Sequence, residues 1–253
     1  MPWTFSHPAV VFPIKQSRFG HFLSLPALIL GSLSPDLFYS MMWYSAATTA
    51  HDLIGWLYTG LPLCLLITIF VQKSVFYLHY AVPFPLKNRS VGSFRQFCIV
   101  VLSFYIGAAS HIIWDAFTHQ SGAFVRHAEF LQLVVFNMTD SQEIAIYKLL
   151  QHLGSLLGAL YLLIKYTQYY RRQSAIQQQE YAKKLMALLK IAIVSGCISL
   201  PFAYKLAMKG DVFSFNRFVY LELTLLVPVF FTASILFALI KYQRQRKATQ
   251  NSS

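Results

Sequence analysis

Chemistry in this 253-residue chain concentrates in residues 107–122, GAASHIIWDAFTHQSG. His111, Asp115 and His119 recur four apart, so on a helix they share one face and drift about 40° per step. Two ligands at that spacing can hold one ion, as in helical zinc sites. His119 lies about 12 Å of helical rise from His111. It can join the same ion only if the helix breaks, for which Gly122 is placed, or else serve a second ion or a substrate. Three ionisable groups on one stripe of apolar sequence are costly unless paired or bound to a cation. Metal binding or catalysis is therefore favoured over plain hydrogen bonding in a bundle.

Four further residues qualify. Asp36 closes a short apolar segment, residues 22–33, that ends in GSLSPD. His51 and Asp52 stand together before the next apolar run, and His7 precedes Pro8 near the start. The expected metal ligands are His7, Asp36, His51, His111 and Asp115. Asp52 or His119 is the expected general base. Ser110, Trp114 and Thr118 are the nearest candidates to orient the ligands. Glu222 is read as a ligand or, more simply, as an ion-pair partner of Arg217 or Lys205. The other histidines lack acidic partners at ligand spacing.

The elements that must position these residues follow from composition. Hydrophobic residues make up 56% of the chain and charged ones 12%, with 22 Phe and 15 Tyr. A soluble domain would carry roughly twice that share of charge. The expectation is an all-α, polytopic transmembrane helix bundle. Apolar runs place five spans near 53–71, 97–114, 153–166, 187–207 and 218–240, all helical because lone strands cannot satisfy their backbone in lipid. Residues 22–33 are too short to span and contain Pro26, so a re-entrant or interfacial segment is expected. Residues 1–240 form one membrane-embedded domain, and the basic, polar tail 241–253 is expected to lack fixed structure.

Net charge is +12. The Lys and Arg flank apolar runs, as topology signals do, so nucleic acid is not the expected partner. Lys73, Lys87, Arg89 and Arg95, the group from Lys165 to Lys190, and Lys241, Arg244, Arg246 and Lys247 make 14 of the 21 basic residues. Alternate loops hold few, which puts the basic loops and the C-terminus in the cytoplasm and the His/Asp residues at the outer face. Residues 173–190 are expected to form an amphipathic surface helix running into the fourth span. Cys64, Cys98 and Cys197 sit singly in apolar runs and are read as small core hydrophobes.

Three elements carry a family resemblance: the opening MPWTFSHPAV, the GSLSPD element, and Ser110-His111-Ile-Ile-Trp114-Asp115-Ala-Phe-Thr118-His119. Together they resemble an uncharacterised bacterial membrane family, domain of unknown function 4184, over roughly residues 1–240. A more distant likeness is to the LexA-binding, inner-membrane-associated metal-dependent hydrolases. Ser6-His7, Ser34-Pro35-Asp36, His51 and Ser110-His111-x-x-x-Asp115-x-x-Thr118 stand where that family carries its motifs. Leu37-Phe38-Tyr39 follows Asp36 where that family has Asp-x-Asp-His, and Ala50-His51-Asp52 stands for a fuller histidine block. The likeness implies a bacterial inner-membrane hydrolase, with one ion rather than two or three.

Two functional classes are open. The first is a metal-dependent hydrolase at the outer membrane interface, using a divalent metal, most simply zinc, on an ester or phosphoester, for which a site at headgroup level favours a lipid or lipid-linked substrate. The second is a non-enzymatic transporter, ion carrier or assembly factor using the same cluster. A shallow site with an open position favours the first, and a polar path through the bundle favours the second.

Overall fold

The computed structural model describes residues 4–86, 92–139, 142–209 and 212–250. A 3-10 turn, Thr4–Ser6, leads into α1 (Pro8–Gln16), α2 (Leu25–Ser40) and two short helices, α3 (Tyr44–Ala50) and α4 (Gly55–Tyr58). Next come α5 (Gly60–Leu78), α6 (Phe94–Thr118), α7 (Ala123–His127) and α8 (Glu129–Gln132). A small hairpin, β1 (Val134–Thr139) and β2 (Gln142–Ala145), precedes α9 (Ile146–Arg171) and α10 (Ala175–Ala207). A second hairpin, β3 (Met208–Lys209) and β4 (Val212–Phe213), joins α10 to α11 (Phe215–Gln250). The fold is all-α.

Five helical stretches are long and apolar enough to cross a bilayer: Gly60–Leu78, Phe94–His127, Ile146–Arg171, Ala175–Ala207 and Arg217–Gln250. Their outward faces carry exposed Leu, Ile and Phe, as lipid-facing surfaces do. The chain is thus a multi-pass membrane protein. It divides into two compact units, Met1–Phe38 with Tyr44–Leu65 and Val91–Gln168, and Tyr39–Trp43 with Leu66–Ser90 and Tyr169–Ser253.

Several boundaries differ from the sequence expectation. The first long helix begins at Gly60, not near 53, because α3 and α4 occupy the polar stretch around His51. The tail does not lack structure: α11 continues through Lys241, Arg244 and Arg246 to Gln250. Lys87, Arg89 and residues 251–253 lie outside the described residues. The amphipathic segment and the fourth apolar run are one helix, α10, started by a capping box in which Ser174 and Gln177 satisfy each other's backbone N–H. Cys64 is buried, while Cys98 and Cys197 are exposed on long helices rather than in a core.

The apolar segment does not end at Pro35. Proline has no N–H, so the carbonyl four residues back, on Gly31, loses its helical donor. Ser34 Oγ donates to that carbonyl at 2.7 Å, and α2 runs on to Ser40, with Asp36 still on the helix.

In the first unit, α2 and α6 meet backbone to backbone. A Cβ on Gly31 would lie 2.1 Å from the Phe104 carbonyl oxygen, and one on Gly107 would lie 2.2 Å from that of Leu28. Val11, Leu23 and Leu28 form a small buried core beside this crossing, with Ile106 packed on it. The fully buried Trp56 ties α4 to α2, its indole N–H donating to Ser34 Oγ at 2.8 Å. Ser6 Oγ donates to the Ser155 carbonyl at 2.8 Å and joins the N-terminal segment to α9. In the second unit, α10 and α11 pack through Ala203, Ala207 and Leu221.

Candidate metal centre

Three helices and the N-terminal turn of the first unit bring the five expected ligands together. α6 supplies His111 and Asp115, and the Nε2 of His111 lies 3.4 Å from Asp115 Oδ2. α2 brings Asp36, whose Oδ1 is 3.7 Å from the same nitrogen. The end of α3 brings His51, with Nε2 3.3 Å from Asp36 Oδ1 and 3.5 Å from Asp115 Oδ2. His7, where α1 begins, stacks on His111 with ring centroids 3.7 Å apart and reaches within 4.0 Å of Asp115 Oδ1. Two overlapping groups have ion-binding separations: His7, Asp36 and His111, and His51, His111 and Asp115.

Backbone carbonyls fix two of the rings. His111 Nδ1 donates to the Ser32 carbonyl at 2.8 Å, and His51 Nδ1 to that of Ala47 at 2.7 Å. In the neutral ring this leaves each Nε2 with a lone pair aimed at carboxylate oxygens. Like lone pairs face each other unless a proton or a cation lies between them. His111 Nε2, Asp115 Oδ1 and His119 Nδ1 are buried and make no hydrogen bond. The acceptors of His111 and Asp115 fit a cation, and imidazole with carboxylate is a zinc-type donor set, whereas His119 Nε2 accepts from the Gln151 amide and its Nδ1 carries the ring proton. His111 has one nitrogen left over from Ser32, so the two groups could hold only one ion between them.

Protons divide unevenly over the cluster. Burial and the neighbouring His111 push His7 down to about 4, so it is neutral at pH 7. At His51 burial disfavours the charge, but hydrogen bonding to the Asp115 and Asp36 carboxylates outweighs it and raises the ring to about 10. Burial likewise works against the Asp36 carboxylate. His51, His111 and the Thr4 hydroxyl prevail and hold it below the usual carboxylate range.

The remaining site expectations fare differently. His119 caps α6 in an extended conformation, so the helix breaks at this residue, and its Nδ1 lies 3.4 Å from Asp115 Oδ1. Gly122 permits the chain to fold back, since a Cβ there would lie 2.4 Å from the Ala116 carbonyl oxygen. Asp52 is exposed, and its Oδ1 accepts from the N–H groups of Ile54 and Gly55 at the start of α4, a cap rather than a member of the cluster. The proposed orienters turn inward on their own helix: Ser110 Oγ donates to the Gly107 carbonyl and Thr118 Oγ1 to that of Trp114. Trp114 packs on Gly154. Glu222 belongs to the second unit, where it accepts from Ser199 at 2.6 Å rather than pairing with Arg217 or Lys205.

Sequence reasoning missed the groups that do orient the site. Thr4 Oγ1 donates to Asp36 Oδ2 at 2.7 Å, and the Gln151 side chain lies 3.1 Å from His119 Nε2. Thr4 lies in the opening motif, but its type alone carries no signal. The carbonyls of Ser32 and Ala47 leave no mark in a sequence.

Residues 1–242 match the model of a family described as Domain of unknown function (DUF4184). No curated protein matches the chain, and no solved structure matches it.

Proposed function

The chain belongs to the DUF4184 family, and from its buried His/Asp cluster we propose a membrane-embedded hydrolase dependent on one divalent metal ion, with zinc the expected ion. The observation that carries this reading is His111 Nε2, which is buried, makes no hydrogen bond, and faces two carboxylates with its tautomer set by Ser32. A divalent ion would supply Lewis acidity and lower the pKa of a nearby water. His111, Asp115, Asp36, His51 and His7 would hold it, with Thr4 and the two carbonyls fixing ligand orientation.

The cluster is graded in exposure. The His111 and Asp36 side chains are 0% and 5% exposed, against 21% for His51 and 32% for His119. The exposed side supports an open position for an ester or phosphoester, and hydrolysis over a closed ion carrier. His119 is the best-placed general base: it sits at the rim, one ring nitrogen toward Asp115 and the other beside Gln151. The reaction class also rests on the motif resemblance to the LexA-binding, inner-membrane-associated hydrolases. In this reading the protein lies in a bacterial inner membrane with its C-terminus in the cytoplasm. Its site lies at the outer interface, and its substrate is a membrane lipid or a lipid-linked ester.

Metal analysis of detergent-purified protein supplied with zinc tests the reading. Wild type should retain about one ion per chain, and His111→Ala less than about a tenth of that. Folded wild type that retains no metal would end it.

A further inference from the structure

A cleft of about 320 Å³ opens in the first unit beside the cluster, between α1, α6 and α9. That is the size of a small-molecule site. Its walls are apolar, with Ala9, Val10 and Pro13 on one side and Leu157 and Tyr161 on the other. The serine hydroxyls that reach it are already committed: Ser6 donates to the Ser155 carbonyl, Ser155 to Gln151, and Ser110 to Gly107. Those three serine protons are spent, and the donors left on the lining are the Tyr161 hydroxyl and the Trp114 indole N–H. The link to the cluster is His7, which both lines the cleft and touches Asp115 and His111.

The cleft also opens on the exposed surface of the spanning helix α9. Val10 and Leu157 are exposed, and Leu157 is continuous with the exposed Leu153, Leu156 and Leu160 of the spanning helix α9. Acyl chains are the solvent on such a surface. A cavity with an exposed apolar rim, mostly apolar walls and one imidazole that touches the His/Asp cluster suits an amphiphile.

We propose that this cleft seats one fatty acyl chain of a bilayer phospholipid, with the ester linkage reaching His7 and the cluster. The proposal rests on the hydrolase reading for the identity of that lipid as substrate, but occupancy of the cleft is a separate observable. Leu157 is the position to fill, because it is exposed and a larger apolar side chain there is tolerated in lipid. Leu156, its exposed neighbour, does not line the cleft.

Full-length protein in nanodiscs is irradiated with a phosphatidylglycerol carrying a diazirine in its acyl chain, and the labelled peptides are mapped. Labelling should concentrate at Val10 and Tyr161. It should fall at least about fivefold in Leu157→Trp and in Val10→Trp, and stay at the wild-type level in Leu156→Trp. Excess dioleoyl phosphatidylglycerol should compete. Equal labelling in Leu157→Trp and Leu156→Trp overturns the proposal, as does labelling spread evenly over the exposed leucines of α9. Competition by an isoprenyl phosphate but not by the phospholipid overturns the choice of an acyl chain. Zinc content is measured on the same samples. Cleft-specific labelling in a protein that binds no zinc keeps the acyl site and removes the hydrolase. Zinc-loaded protein without such labelling removes only the acyl site.

Discussion

Gly107→Ala puts the metal reading under mechanical test. The new Cβ would lie 2.2 Å from the Leu28 carbonyl oxygen and 2.8 Å from the Ser32 nitrogen, where ordinary contact begins at 3.4 Å. Both obstacles are backbone, so no rotamer relieves the clash, and α2 must move from α6 by about 1 Å at a cost of about 1–3 kcal/mol. His111 Nε2 and Asp36 Oδ1 stand 3.7 Å apart. Two ligands at about 2.1 Å from a zinc ion can be separated by about 4.2 Å at most. The pair meets that limit now and exceeds it after the shift. The Ser32 carbonyl that orients His111 withdraws at the same time. His111 and Asp115 share α6 and keep their spacing, so the ion should weaken rather than vanish, by about 10–100-fold. Zinc titration against a competing chelator in detergent reads this directly, with a thermal melt to confirm folding. Gly196→Ala is the control, because its Cβ would make only ordinary contact with Leu226, at 3.5 Å. Folded Gly107→Ala with wild-type zinc affinity would refute the reasoning.

Asp115→Asn should lower zinc affinity by about 100-fold or more while preserving the fold, since the amide keeps the shape but loses the charge that faces four imidazoles; equal metal in mutant and wild type decides against it. Zinc must displace the proton on His51, which is charged below about pH 10, so apparent affinity should rise about tenfold per pH unit from pH 7 to 9, measured by titration at fixed ionic strength. In the metal-free protein the stabilisation from the raised His51 pKa is complete below about pH 6.5 and fades as pH approaches 10, so its melting temperature should fall over that interval. A reporter fused after Ser253 should give a cytoplasmic signal, and a periplasmic one would reverse the proposed orientation.

The sequence carried the spans and most of the clustered His and Asp residues because both are written in residue type. Apolar runs mark helices that must satisfy their backbone in lipid, and His111 with Asp115 needs only a helical period to become a pair. Asp36 and His51 were legible as ionisable groups at the edges of apolar segments, although 79 positions separate Ser32 from the His111 it orients. What was hidden depends on backbone. Ser34 repairs the helix at Pro35 through a carbonyl, and carbonyls hold His51 and His111. Asp52 has the right type for a base, but its carboxylate is spent on two N–H groups of its own turn. The start of α9 was missed because Lys148, Gln151 and His152 interrupt its hydropathy, and Gln151 is the residue that meets His119.

The glycine crossing of α2 and α6 has a consequence for motion. Helices separated by side chains can slide, because rotamers exchange as the interface shifts. At Gly31 and Gly107 there is nothing to exchange: bare peptide planes bear on each other at two points, and the helices bearing Asp36, His111 and Asp115 behave as one stiff strut. Beyond that strut lie the end of α3 with His51, half-buried, and the turn with His119, while Trp56 ties α4 back to α2. These are the more exposed side chains of the cluster, so under the proposed function any adjustment around a substrate would fall to them rather than to Asp36, His111 and Asp115.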